Sequence, residues 1–160
     1  MYMLCLDYFG DERFNIMKPE LDSKEFNSGE RIYDPKLKLQ NPIDHEQAKS
    51  HLDRYQFASQ FLSDKEKVLD AACGSGYGTE ILAGKASEVI GIDFSDHALN
   101  YANSHHVKSN TRFLSADLQR PLPFDSDYFD ALVSFETLEH VIDQENTIKE
   151  FQRVIRSGGL

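Results

Sequence analysis

A chain of 160 residues with 40% hydrophobic and 28% charged residues has the size and composition of one soluble globular domain. No stretch approaches the roughly 20 apolar residues of a membrane span, and a net charge of −10 without a basic run argues against direct binding of nucleic acid. The two cysteines, Cys5 and Cys73, form neither a disulfide framework nor a metal-ligand spacing, so we expect a reducing, cytoplasmic setting.

The first part of the chain differs from the rest. Residues 1–43 lack sustained periodicity and contain three of the five prolines, which predicts an irregular N-terminal arm or lid. A helix is predicted from Asp44, with Asp44 as N-cap and Gln47 at the capping-box position. Its apolar residues recur at helical spacing and are Ala48, Leu52, Tyr55, Phe57, Ala58, Phe61 and Leu62. We therefore expect residues 44–160 to form the folded domain.

Strands and helices then alternate along the chain. The predicted strands are 67–71, 88–93, 111–116 and 131–135. The predicted helices are 77–83, one capped by Ser95 with Ala98, Leu99 and Ala102 on its apolar face, and one capped by Asp143 with Ile148, Phe151, Val154, Ile155 and a C-cap at Gly158. Such alternation with short connections predicts an α/β doubly wound fold with a parallel sheet.

Three alternating glycines, Gly74, Gly76 and Gly78, follow the first strand and open the next helix. They permit unusual dihedral angles and let the main chain lie against a ligand. A dinucleotide fingerprint would place a small residue where Thr79 stands, and a P-loop would place a lysine in the turn. Asp70 would repel a pyrophosphate but favours a sulfonium or an ammonium group. The turn therefore suits a positively charged nucleoside without phosphate.

The run VLDAACGSGYG resembles motif I of class I S-adenosylmethionine (SAM)-dependent methyltransferases, written D/E-x-x-x-G-x-G. The resemblance implies a Rossmann-like sheet, SAM as cofactor, and 44–160 as the N-terminal part of the SAM-binding domain. It implies that the turn holds the homocysteine part of SAM, and that Asp70 acts on its amino group directly or through water. The turn residues expected at the cofactor are Asp70, Ala71, Cys73, Gly74, Ser75 and Gly76.

Two further acids end predicted strands. Asp93 lies 19 positions after Gly74, the distance at which an acid can accept both ribose hydroxyls, and Phe94 beside it could pack on the adenine. The stretch around Asp117 and Leu118 is similar to the family's adenine-binding segment, in which an acid accepts from the adenine amino group and the next N–H reaches a ring nitrogen. The alternative for Asp93 is a helix N-cap or a solvated loop acid, and the alternative for Asp117 is an ordinary loop acid at the end of a strand.

The fourth strand should deliver Phe135 and Glu136 to the cleft outside the strand ends. The E-x-L-E-H-V run that follows is similar to runs in quinone-biosynthesis and sugar-modifying methyltransferases, and to a metal-binding stretch of small-RNA 2′-O-methyltransferases. Glu136, Glu139 and His140 are therefore an alternative set of metal ligands, although we favour no metal. His140 is the candidate general base. Tyr55 resembles an aromatic residue that covers the cofactor in a subset of these enzymes, and a core role is the alternative.

The chain closes on RVIRSGG, which is similar to a family phrase that precedes the fifth strand. We therefore expect the C-terminal strands and much of the acceptor site to be missing. The sequence is then either a fragment of a longer polypeptide or a shortened member whose open sheet edge is covered by a second copy or a partner subunit. The predicted function is methyl transfer to a small-molecule or glycan-like acceptor. The alternatives are a catalytically silent module that binds SAM or a partner, and an NAD-binding dehydrogenase domain.

Overall fold

The computed structural model describes residues 42–160, with side chains described from Lys49 onward. The predicted arm, 1–43, thus lies outside the described residues except at its end. The elements in chain order are α1 Pro42–Ser59, β1 Lys67–Ala71, α2 Tyr77–Leu82, β2 Glu88–Asp93, α3 Asp96–His105, β3 Thr111–Ser115, β4 Ala131–Val133, a 3₁₀ turn Leu138–His140, and α4 Gln144–Val154.

The four strands form one parallel sheet in the order β3-β2-β1-β4. This confirms the predicted α/β fold. β1 pairs with β2 on one side and with β4 on the other, so the direction in which successive strands are added to the sheet reverses at β1. In open α/β sheets of this kind, ligands bind in the crevice outside the carboxyl ends of the strands at such a reversal. The glycine turn, Asp93, Asp117 and Glu136 all lie at or just after the carboxyl ends of these strands.

Helices pack on both faces of the sheet, because successive side chains of a strand point to opposite faces. Val68 and Val89 join a core cluster with Tyr55 and Leu82, on the face covered by α1 and α2. The other face is covered by α4, and its cluster consists of Leu69, Ala71, Ile90, Ile92, Leu122, Phe129, Phe151 and Val154. Each fully buried aliphatic or aromatic side chain contributes about 1.5–3 kcal/mol relative to an exposed one.

Two predicted N-caps are confirmed. The Ser95 hydroxyl accepts from the Ala98 N–H at 3.2 Å at the start of α3. The Asp143 carboxylate accepts from the Asn146 N–H at 3.0 Å at the start of α4. Each bond satisfies one of the N–H groups that a helix leaves without a partner in its first turn.

Two predicted helix boundaries are wrong. α1 begins at Pro42 rather than after Asp44, because the fixed φ of proline suits the first helical position, where its missing N–H costs no hydrogen bond. α4 ends at Val154 with Ile155 as its C-cap, so Gly158 is not the C-cap glycine. The chain turns extended at Ile155, which pairs with Phe129 in an isolated parallel bridge. None of the described helices is long and apolar enough to cross a membrane.

β4 is shorter than predicted and has a neighbour on its outer side. It ends at Val133, two residues before the predicted end, and the Ser134 hydroxyl donates to the carbonyl of Ala71 at 3.0 Å. On the outer side, the N–H of Leu160 donates to the carbonyl of Asp130 at 3.0 Å, and the carbonyl of Leu160 accepts from Leu132 at 2.9 Å. The position next to β4 is therefore taken by the backbone of residue 160.

Candidate functional site

The glycine turn between β1 and α2 has a strongly curved backbone. Ala72, Gly74 and Gly76 have φ values of 64°, 53° and 88°, in the left-handed region that side chains disfavour. A Cβ at Gly76 would lie 2.7 Å from the Cβ of Ala102 and 2.8 Å from the ring of Phe113. At Gly74, an added Cβ would meet nothing within 4 Å. The turn is thus packed below Gly76 and open at Gly74.

Asp93 joins the end of β2 to this turn. Its Oδ2 accepts from the N–H of Gly74 at 2.8 Å, and its Oδ1 accepts from the N–H of Ser95 at 2.9 Å. The residue is 9% exposed, whereas the neighbouring Phe94 is 71% exposed. The structure therefore brings the predicted ribose acid against the predicted glycine turn, with an exposed aromatic ring beside it.

Asp70 lies beneath the turn, on the face of the sheet covered by α1 and α2. It is fully buried, and its carboxylate accepts from the Tyr55 hydroxyl at 3.0 Å and from the Thr79 hydroxyl at 2.6 Å. Burial raises the pKa of Asp70 to about 7, with a smaller contribution from the charge of Asp93, while the bonds from Thr79 and Tyr55 act in the opposite direction. Thr79 thus serves as a hydrogen-bond donor to Asp70 beneath the turn.

Tyr55 holds α1 against the glycine turn. It is 4% exposed, and its ring meets the rings of Tyr77 and Phe135 edge-on at 5.5 and 5.0 Å between centroids. A Cβ at Gly78 would lie 2.1 Å from the Tyr55 ring, so only glycine allows this approach. Tyr55 is thus a core residue that also carries a hydrogen bond to Asp70.

Three other predicted site residues, Ala71, Cys73 and Ser75, are buried within the turn at 0%, 3% and 3% exposure. The N–H of Cys73 donates to the carbonyl of Ile92 at 2.9 Å, which fixes the turn to β2. Burial raises the pKa of the Cys73 thiol well above its usual range, as do the nearby charges of Asp70 and Asp93. The thiol therefore stays neutral and fills space.

An ion pair lies at the end of β4. Glu136 has a φ of 53°, and its Oε1 lies 3.0 Å from Nη1 of Arg54 on α1. Burial lowers the pKa of His51 on the same helix, as does the charge of Arg54, whereas Glu136 raises it. Arg54 is not among the site residues predicted from the sequence. The available signal was the spacing of His51, Arg54 and Tyr55, at i, i+3 and i+4, which puts polar groups on the core-facing side of α1.

The end of β3 meets the end of β2. The N–H of Ala116 donates to the carbonyl of Asp93 at 2.9 Å, and Asp117 follows directly. Asp117 and Leu118 are both partly exposed. The carbonyl of Leu118 accepts from the Thr147 hydroxyl of α4 at 3.1 Å, which anchors this segment. The predicted adenine segment thus lies on the same rim as Asp93.

The alternative metal site is not assembled among the described residues. Within 49–160, no three His, Cys, Asp or Glu side chains come together in a way that could hold an ion. Glu139 and His140 are exposed on the 3₁₀ turn, while Glu136 pairs with Arg54 instead. His140, the candidate base, is therefore a solvent-accessible side chain on the 3₁₀ turn that follows β4.

Comparison with known proteins agrees with this geometry. The family model described as "Methyltransferase domain" matches residues 69–160. A Mycobacterium tuberculosis protein named probable S-adenosylmethionine-dependent methyltransferase is 34% identical over 111 residues, which cover 67% of this chain and 39% of that protein. The ubiquinone biosynthesis O-methyltransferase of Nitrosomonas europaea is 34% identical over 100 residues, which cover 61% of this chain and 42% of that enzyme.

A solved structure shows the same fold. The YcgJ protein of Bacillus subtilis superposes with a TM-score of 0.63 at 24% identity, covering 68% of this chain and 48% of that one. The chain spans about two fifths of the length of the curated relatives it matches. The family match covers more than half of the chain and includes the glycine turn, Asp93, Asp117 and Glu136. This chain therefore belongs to the class I SAM-dependent methyltransferase family.

Proposed function

We propose that this chain binds SAM at the carboxyl ends of β1, β2 and β3, and is the cofactor-binding part of an enzyme that methylates a small-molecule acceptor. The observation that carries the proposal is the Asp93 carboxylate, oriented by the N–H groups of Gly74 and Ser95 at 2.8 and 2.9 Å. A carboxylate fixed beside a glycine turn is suited to accept hydrogen bonds from the two hydroxyls of a ribose.

The charges of the turn favour SAM over a nucleotide that carries phosphates. Asp70 and Asp93 both lie against it, and a pyrophosphate there would meet two acids. The sulfonium and the ammonium group of SAM are positive, so the same acids attract them. The open space at Gly74, where an added Cβ meets nothing within 4 Å, leaves room for a ligand against the backbone.

The remaining parts of SAM have matching groups. Arg54, whose Nη1 lies 3.0 Å from Oε1 of Glu136, offers a positive charge to the carboxylate of the amino-acid end, whose ammonium group faces Asp70. The exposed ring of Phe94 is suited to pack on the adenine. Asp117 and the N–H of Leu118 would then hydrogen-bond its edge, as the family resemblance implies.

Methyl transfer requires little further side-chain chemistry. SAM supplies a methyl group on a sulfonium whose charge disappears as the new bond forms. The residues of the chain align the reactants and exclude water. We propose a hydroxyl of a small-molecule or glycan-like compound as the acceptor, because relatives such as the Nitrosomonas europaea enzyme are named O-methyltransferases. A hydroxyl must lose its proton, and His140 is the proposed base.

Calorimetric titration of the chain with S-adenosylhomocysteine (SAH) and with NAD tests the cofactor assignment. SAH shares the adenosyl and amino-acid groups of SAM and carries no phosphate, so we expect saturable binding of SAH and no heat with NAD. Binding of NAD, or no binding of SAH, would contradict the proposal. Methyl transfer to hydroxyl acceptors by a protein that carries the acceptor-site strands, with and without His140→Ala, then tests the base: the variant should lose roughly 10²–10⁴-fold in rate.

A further inference from the structure

Asp70 is a buried acid whose hydrogen-bond donors are neutral. It is 0% exposed, and the hydroxyls of Tyr55 and Thr79 donate to its two oxygens at 3.0 and 2.6 Å. The charge of Asp93, which has the same sign, opposes the ionisation of Asp70. Hydrogen bonds from hydroxyls only partly offset the cost of burying a carboxylate. At neutral pH this acid therefore lies close to balance between its neutral and its ionised form.

Asp93, at the end of β2, is a charged neighbour of Asp70, and the titratable groups on α1 and in the turn do not share the titration range of Asp70. Tyr55 on α1 has its pKa raised well above its usual value by burial and by the charge of Asp70. Burial likewise keeps the Cys73 thiol in the turn neutral. The partners of Asp70 in the sheet are Gly91 on β2 and Val133 on β4, which do not titrate. Asp70, with a pKa of about 7, is the member of this set that changes charge near neutrality.

We propose that Tyr55 and Thr79 are positioning residues that hold Asp70 beneath the glycine turn, so that binding of the amino-acid end of the cofactor releases a proton from it. The inference rests on the proposed function. An ammonium group brought to the turn favours the ionised carboxylate. The O–H bond of the neutral acid breaks, its proton passes to the buffer, and the carboxylate remains opposite the ammonium charge.

This coupling makes the affinity for SAH fall as the pH is lowered. Above a pH of about 7 the acid is already ionised, so the affinity for SAH should be constant. Below that pH the acid must lose a proton before it can attract the ligand, so affinity should fall by up to about tenfold per pH unit. A ligand without the amino-acid end should show no such dependence.

Calorimetry at about pH 6.5 in two buffers of different ionisation enthalpy, phosphate and bis-tris, measures the protons released on binding. We expect the heat of SAH binding to differ between the buffers by an amount equal to about half a proton or more. Methylthioadenosine, which lacks the amino-acid end, should give the same heat in both. Equal heats for SAH, or an equal buffer dependence for methylthioadenosine, would overturn the inference.

Variants locate the proton. Asp70→Asn should bind SAH with no buffer dependence, whereas Asp96→Asn, which neutralises an exposed acid at the start of α3, should release the proton as before.

A second pair of variants leaves the acid itself unchanged. Thr79→Val removes a hydrogen-bond donor to Asp70 and should move the pH midpoint of SAH affinity upward, and Thr79→Ser should restore it. Undiminished proton release by Asp70→Asn, or an unmoved midpoint in Thr79→Val, would overturn the inference. Absence of SAH binding in the unchanged chain would contradict the proposed function itself.

Discussion

Asp93 is the single residue on which cofactor affinity should depend most. Asp93→Ala removes the proposed acceptor of both ribose hydroxyls, and hydrogen bonds to a charged group contribute about 1.5–3 kcal/mol each. We expect SAH to bind roughly 100-fold more weakly or worse, measured by calorimetry. Asp96→Asn, three residues away and exposed, is the control and should leave affinity within about twofold. Equal affinity of Asp93→Ala and the unchanged chain would refute the ribose assignment.

Asp70 should make the stability of the ligand-free chain fall as pH rises. Its pKa is about 7 in the folded chain and about 4 in an unfolded one, so between these values the folded state holds the extra proton. The free energy of unfolding therefore decreases from about pH 4 to about pH 7, by up to about 4 kcal/mol.

Urea unfolding at several pH values checks this, with Asp70→Asn as the comparison. Relative to Asp70→Asn, the unchanged chain should lose unfolding free energy as pH rises from about 4 to about 7. A difference that does not vary with pH would mean that Asp70 is ionised in the folded chain throughout.

The sequence predicted the proximity of residues that belong to one local motif. The spacing of Gly74 and Asp93 is a property of a strand–turn–helix–strand unit, and the structure brings the two within 2.8 Å. The partners of Asp70 were not predictable in the same way. Tyr55 reaches it from another element, and Thr79 carries no signal beyond its departure from a dinucleotide fingerprint. Contacts of this kind depend on how the helices pack.

At the scale of elements, the contact between α1 and α2 depends on the absence of a side chain at Gly78. A Cβ there would lie 2.1 Å from the Tyr55 ring, so Gly78→Ala forces the two helices apart. We expect a loss of about 1–3 kcal/mol in unfolding free energy, measured by urea denaturation. Gly84→Ala, whose Cβ would meet only the carbonyl of Ile81 at 3.2 Å, should cost less. An equal loss for both would show that the Tyr55 contact is not the cause.

Strand boundaries followed from the sequence where both strand faces are buried. β1 and β2 have the predicted bounds, because a short apolar run between charged residues is typical of a central parallel strand. β4 ends early at Val133 although an apolar residue recurs after Ser134 at Phe135, which packs against Tyr55 outside the sheet. The end of α4 was missed because the pairing of Ile155 with Phe129 is a tertiary contact.

For the whole molecule, we expect cofactor binding to raise thermal stability. A ligand that binds only the folded state at a hundred times its dissociation constant adds about 2.7 kcal/mol, which corresponds to several degrees in the Tm of a chain of this size. A thermal melt with SAH should show this rise, and one with NAD at the same concentration should not. A Tm unchanged by saturating SAH would contradict binding to the folded chain.

The most direct measurement is a crystal structure of the chain grown with SAH. We expect the ribose hydroxyls of SAH to hydrogen-bond to the Asp93 carboxylate and its adenine to lie beside Phe94 and Asp117. The amino-acid end of SAH should lie over the glycine turn above Asp70. An empty crevice at saturating SAH, or a phosphorylated nucleotide retained there with its phosphates on the turn, would contradict it.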